Sequence, residues 1–144
     1  MNVQKQINEF ILNQPEPKRI DLQALHEHLL QLLPNSKLWF LDGKNDEGKQ
    51  VTNPNIGYGV HIIKYKDGTS REFYQVGFSP NTTGISVNLM SIKDKTFLVD
   101  TYGNEIGKAT MSGYCIKFKK LKDINLEVLD KAIINAVEVS NKMA

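Results

Sequence analysis

Residues 56–89, IGYGVHIIKYKDGTSREFYQVGFSPNTTGISVNL, decide the fold. At the end of this stretch Ile85, Val87 and Leu89 alternate with Ser86 and Asn88, the period-2 pattern of a half-buried strand. In its middle, Lys66-Asp67-Gly68-Thr69 is a hairpin turn, because Asp-Gly tolerates the positive φ that tight hairpins demand. The flanking segments, Ile56 to Tyr65 and Arg71 to Phe78, are rich in aromatic and β-branched residues and read as the two arms. Pro80 to Gly84 is a second turn. Successive strands joined by short turns make an antiparallel meander.

Outward from the meander, Lys37 to Leu41 (KLWFL) is a further strand, and Asp42 to Asn55, polar and broken by two glycines and Pro54, is a long loop. Tyr114 to Phe118 is a short strand, while Asp94 to Tyr102 suits either a short helix or an extended segment. Val3, Ile7, Phe10 and Ile11 fall at helical spacing behind Asn2, a capping residue, so a short helix lies within residues 1–14. Leu22, Leu25, Leu29, Leu32 and Leu33 form the stripe of a second helix, which stops before Pro34. A last helix starts at the cap Asn125, with Leu126, Leu129, Ile133, Ala136 and Val137 on its apolar side. Helix, helix, meander, strand, helix describes an α+β fold: an antiparallel, meander-rich sheet of four to five strands with helices packed on one face. All 144 residues belong to one domain, with no repeat or linker.

Net charge +2 and a pI of about 8.6 fall short of the basic excess of a dedicated nucleic-acid binder. The single cysteine, Cys115, excludes an intramolecular disulfide and fits a reducing compartment. With no signal-peptide h-region and no apolar run of membrane-spanning length, the expectation is a cytoplasmic protein.

Two glycine-rich segments approach a phosphate loop and miss it. Gly43 to Gln50 ends in Gln where the magnesium-holding hydroxyl belongs, and Asn53-Pro54 blocks the following helix. Gly103 to Thr110 is one residue short, with Ala109 at the hydroxyl position. Among the histidines, His26 falls in the leucine stripe and reads as a hydrogen-bonded core-edge residue; His61 lies beside Gly59, where a missing side chain leaves room for a ligand or another backbone. Cys115 reads as a buried packing residue. Lys117, Lys119, Lys120 and Lys122 read as a solvated strand edge. Asp42, Asp46 and Glu47 are the one oxygen-rich candidate for a hard cation.

From Lys18 to about Val137 the chain resembles the bacterial YdhG-like domain family, long catalogued as a domain of unknown function. The resemblance is carried by Lys18-Arg19 before the leucine helix, Gly57-Tyr58-Gly59-Val60-His61, Tyr65 with the Asp67-Gly68 turn, and Gly77-Phe78-Ser79-Pro80. Gly107-Lys108, Gly113 with Cys115, and Phe118-Lys119-Lys120-Leu121-Lys122-Asp123 complete it. The resemblance implies an α+β fold and, for some members, a frataxin-like iron chaperone; it supplies no catalytic residues. Members often carry Arg-Lys after Gly-Phe-Ser-Pro and a basic residue before the cysteine region, where this chain has Asn81-Thr82 and Tyr114.

The resulting expectation is a non-enzymatic carrier of a small ligand or of iron. The alternative is an interaction module that docks a protein partner, or forms a homodimer rather than a monomer, through its sheet. The helices can cover only one face of the sheet, and aromatic groups remain for the other. Trp39, His61, Tyr65 and Phe78 are the residues expected to line that ligand surface, and Asp42, Asp46 and Glu47 the expected iron ligands.

Overall fold

The computed structural model describes residues 2–143. Helices α1 (Val3–Leu12) and α2 (Lys18–Leu32) come first. Strands β1 (Leu38–Leu41), β2 (Asn55–Tyr58), β3 (His61–Lys64), β4 (Ser70–Phe73), β5 (Val76–Asn81) and β6 (Gly84–Leu89) follow. Helix α3 (Phe97–Tyr102), strands β7 (Thr110–Ser112) and β8 (Cys115–Phe118) and helix α4 (Leu126–Met143) complete the chain. The expected caps are present: Asn2 Oδ1 accepts the Lys5 N–H at 2.8 Å and Asn125 Oδ1 the Glu127 N–H at 3.1 Å, each satisfying an orphan donor of a first turn. The ambiguous segment 94–102 resolves as α3, which delivers Leu98 to the core. Among the described residues no helix is long and apolar enough to cross a membrane.

The fold is α+β with an antiparallel sheet, but the sheet has six strands, in the order β1-β2-β5-β6-β8-β7, rather than four to five. Strands β3 and β4 stand apart as a two-stranded hairpin. The segments 56–65 and 71–78 are therefore not continuous arms. Gly59 has φ +83, a conformation an L side chain resists, and its N–H donates to the Lys37 carbonyl at 2.8 Å. There the chain leaves the main sheet. It returns at Gln75, whose N–H donates to the Tyr58 carbonyl at 3.0 Å. Side-chain parity counted through Gly59 is lost, because alternation holds only along one uninterrupted strand.

Register assigns the two faces. Phe78 lies between Ile56 and Val87, and Val87 opposes Ile116. These residues, with Tyr58, Val76, Ile85, Leu89 and Phe118, form one core with Ile7 and Ile11 of α1, Leu22, Leu25 and Leu29 of α2, and Leu129, Ile133 and Ala136 of α4. Burying each of the Val, Leu, Ile and Phe side chains among them contributes about 1.5–3 kcal/mol. His26 completes this layer: its Nδ1 lies 2.5 Å from the Tyr58 hydroxyl and its Nε2 3.2 Å from Gln4 Nε2, as a hydrogen-bonded core histidine should.

On the opposite face one row runs Trp39, Gly57, Gly77, Asn88, Cys115. The Tyr74 ring lies flat across the two glycines: a Cβ on Gly57 would stand 2.6 Å from it and one on Gly77 2.5 Å. Phe73 stacks on Tyr74 at 4.2 Å, and the Arg71 guanidinium lies 5.0 Å above Phe73. Trp39 flanks Phe73 at 6.1 Å. Tyr74 is only 3% exposed, and its hydroxyl donates to Asn55 Oδ1 at 3.0 Å. The cover on this face is thus this aromatic stack. The loop 42–53 is exposed along most of its length and closes on itself, with the Gln50 side-chain amide donating to the Asp42 and Thr52 carbonyls.

Candidate functional site at His61

Gly59 also shapes the neighbourhood of His61. A Cβ there would come within 2.3 Å of Gln75 Oε1, so the space read from sequence as room for a ligand is filled by the Gln75 side chain. That side chain reaches α4, donating to Ser140 Oγ at 3.1 Å and to Asn141 Oδ1 at 2.8 Å. Ser140 Oγ in turn lies 2.7 Å from His61 Nδ1. Since Ser140 accepts from Gln75, its own proton is free to donate to Nδ1, which leaves the imidazole proton on Nε2. Nε2 has no hydrogen-bond partner among the described residues, yet it is not sealed from solvent.

His61 is 4% exposed and forms part of a cleft of about 430 Å³. The cleft lies between β3, the C-terminal end of α4, and the segment after β6. Ile62, Ile63, Met90 and Met143 supply apolar wall; Lys64 and Lys93 supply charge. The segment after β6 is held in place by Ser91, whose hydroxyl donates to the Ala136 carbonyl at 2.7 Å. Lys64 Nζ donates to the Met143 carbonyl at 3.2 Å, which suits a cation at a helix C-terminus. Desolvation, and secondarily the nearby Lys93 ammonium, hold the His61 pKa below its ordinary 6.5, so the ring is neutral at pH 7. Among the described residues the lining offers hydrogen-bond donors and positive charge, and no carboxylate or thiol.

The four residues expected to share a ligand surface are scattered. His61 is packed beneath α4 and lines the cleft. Phe78 is fully buried under the helices, stacked near Tyr58 at 6.2 Å. Tyr65 is 46% exposed at the hairpin turn, where its N–H pairs with Thr69. Trp39 alone lies on the helix-free face, its Nε1 donating to the Gly59 carbonyl at 2.7 Å. One common site made of these four does not form, because β3 leaves the main sheet at Gly59 and carries His61 and Tyr65 with it, while Phe78 faces the helices and Trp39 the opposite side. Residues that the sequence reading did not connect with His61 (Gln75, Ser140, Lys93) come from segments distant in the chain, and only the glycine signal at position 59 pointed towards them.

Asp42, Asp46 and Glu47 do not gather either. Asp42 Oδ1 accepts the Lys44 N–H at 2.9 Å in a local turn, and among the described residues no three His, Cys, Asp or Glu side chains form a group that could hold a metal ion. Cys115, expected to be buried, is half-buried on the helix-free face; desolvation raises its thiol pKa. Compared with protein-family models, with curated proteins and with solved structures, the chain finds no match.

Proposed function

We propose that the protein is a non-enzymatic small-ligand binding or carrier domain, and that its ligand is a small carboxylate with a short apolar body, held in the His61 cleft. One observation carries this reading: a neutral, buried imidazole, fixed at Nδ1 by Ser140 and, among the described residues, unpartnered at Nε2, faces a cleft whose other described polar side chains are two lysines. A cleft of about 430 Å³ falls in the range of small-molecule sites, where an apolar lining with a few convergent polar groups is the rule. The apolar wall would take the body of the ligand, and the Nε2 proton with Lys93 its carboxylate. The YdhG-like resemblance is compatible with a carrier and names no ligand. Iron is not part of the proposal, because its expected oxygen ligands do not converge.

Hexanoate is a suitable probe, titrated by NMR while the His61 ring is followed. A bound carboxylate stabilises the imidazolium, so its binding raises the His61 pKa, and by linkage affinity rises as pH falls from 8 towards 6. Lys93→Gln should weaken binding by about tenfold, the loss of one charge-assisted contact. His61→Gln should remove the pH dependence. Shifts confined to other parts of the molecule, or an affinity indifferent to pH and to both substitutions, would overturn the proposal.

A further inference from the structure

We propose that a second binding site, for a compact ligand carrying two neighbouring phosphate groups, lies at the opposite end of β5 and β6 from His61. The His61 cleft adjoins the Leu89 end of β6, whereas this site surrounds the Asn81–Gly84 turn, on the order of 17 Å away along a six-residue strand.

Two contiguous clefts meet here. One, of about 450 Å³, holds Lys108, Lys117 and Lys119; the other, of about 170 Å³, holds Lys18, Lys119 and Lys120; Thr83 and Lys119 belong to both. Among the described residues the only carboxylate in either lining is Asp21, which already accepts the Leu121 N–H at 3.1 Å. Among the described residues the side-chain ion pairs are Arg19–Glu16, His28–Asp130 and Lys37–Glu72, so none of these five ammonium groups is paired with a carboxylate. Gathering five like charges without counter-charges is unfavourable, and a polyanion relieves it.

The arrangement is fixed by the fold. Lys117 lies on β8 opposite Ser86 of β6 and Thr110 of β7, on the helix-free face, while Phe118 turns into the core. Lys18, at the start of α2, donates to the Asn81 carbonyl and is thereby anchored to the β5–β6 turn. The lysines come from three separate parts of the chain, so the run 117–122, read from sequence as a solvated edge, is one side of a cluster. Its chemistry suits phosphate rather than nucleic acid: the charge is confined to one end of the sheet, and the one aromatic residue in the lining, Phe118, is buried and cannot stack on a base.

Isothermal titration calorimetry of the full chain with inorganic pyrophosphate at low salt tests the site. The expected result is saturable 1:1 binding that weakens steeply with added salt. In the double variant Lys117→Gln/Lys119→Gln it should weaken at least about tenfold, through the loss of two charge-assisted contacts. Lys5→Gln/Lys131→Gln, with the same change in net charge on the exposed faces of α1 and α4, should bind as the parent does. The proposal is overturned by the absence of binding at millimolar pyrophosphate, or by equal losses in both double variants. It is equally overturned by sulfate binding as tightly as pyrophosphate (an adventitious ion only), or by a dependence on Lys93, which would assign the anion to the His61 cleft.

Discussion

The two faces of the six-stranded sheet both carry aromatic side chains, and they hold them by different physics. On the helix-covered face, Tyr58 and Phe78 are packed between strands and helices as part of a continuous apolar core. On the free face no helix is available, and Tyr74 is buried instead by lying across Gly57 and Gly77 and being capped by Phe73 and Arg71. Burial on the first face comes from area supplied by other elements. On the second it comes from side chains the strands omit, which let a ring rest directly on the backbone. A sheet face without helices is therefore not by itself an exposed apolar surface. Among the described residues the large apolar ones that are exposed, Leu12, Ile20, Val51, Tyr65, Val99, Tyr114 and Ile134, all lie outside the strands.

Substitutions can break this contrast. The largest effect is expected on the covered face: Phe78→Ala removes a fully buried ring and should cost about 3–5 kcal/mol in chemical denaturation, the usual range for emptying such a site. A loss below about 1 kcal/mol, the size of a surface change, would mean that Phe78 is not core.

The free face gives an intermediate effect with a distinctive signature. Gly77→Val adds a residue with high strand propensity, yet its Cβ alone would stand 2.5 Å from the Tyr74 ring, so it should destabilise by about 1–3 kcal/mol. In the Tyr74→Ala background the clash is gone, and the same substitution should be neutral or stabilising. A double-mutant cycle measures this coupling directly; additive effects would show that Tyr74 does not rest on Gly77.

The smallest effect is expected at Cys115, next to Asn88 in the same row. Because it is only half-buried, Cys115→Ser should change stability by less than about 1 kcal/mol, below the cost of burying a hydroxyl fully. With its thiol pKa raised by desolvation, labelling by a thiol reagent at pH 7 should be slow and should speed up as pH rises towards that pKa. Rapid labelling at neutral pH would contradict the electrostatics of this face.

Much of the fold was legible locally. Asn2 and Asn125 cap their helices, the leucine stripe of α2 enters the core, and Asp67-Gly68 turns the β3–β4 hairpin. Ile85, Val87 and Leu89 face the helices as their alternation requires. The break at Gly59 was not legible, since a glycine beside aromatic and β-branched residues is compatible both with an unbroken strand and with a residue of positive φ. Its consequence was large: the break takes His61 out of the main sheet altogether and sets it apart from Trp39 and Phe78, which stay in that sheet on opposite faces.

What the sequence by itself determined are the features written in neighbouring residues: caps, turns, apolar periodicity, and hence an α+β chain with an antiparallel sheet. These depend on backbone preferences and on which side of a short element is apolar. What only the tertiary structure decided is which distant groups meet. His61 finds Ser140, 79 residues away, and Lys18 finds the β5–β6 turn, 63 residues away. Such meetings are selected by the packing of whole elements, and nothing in the local pattern of residues at either end encodes them.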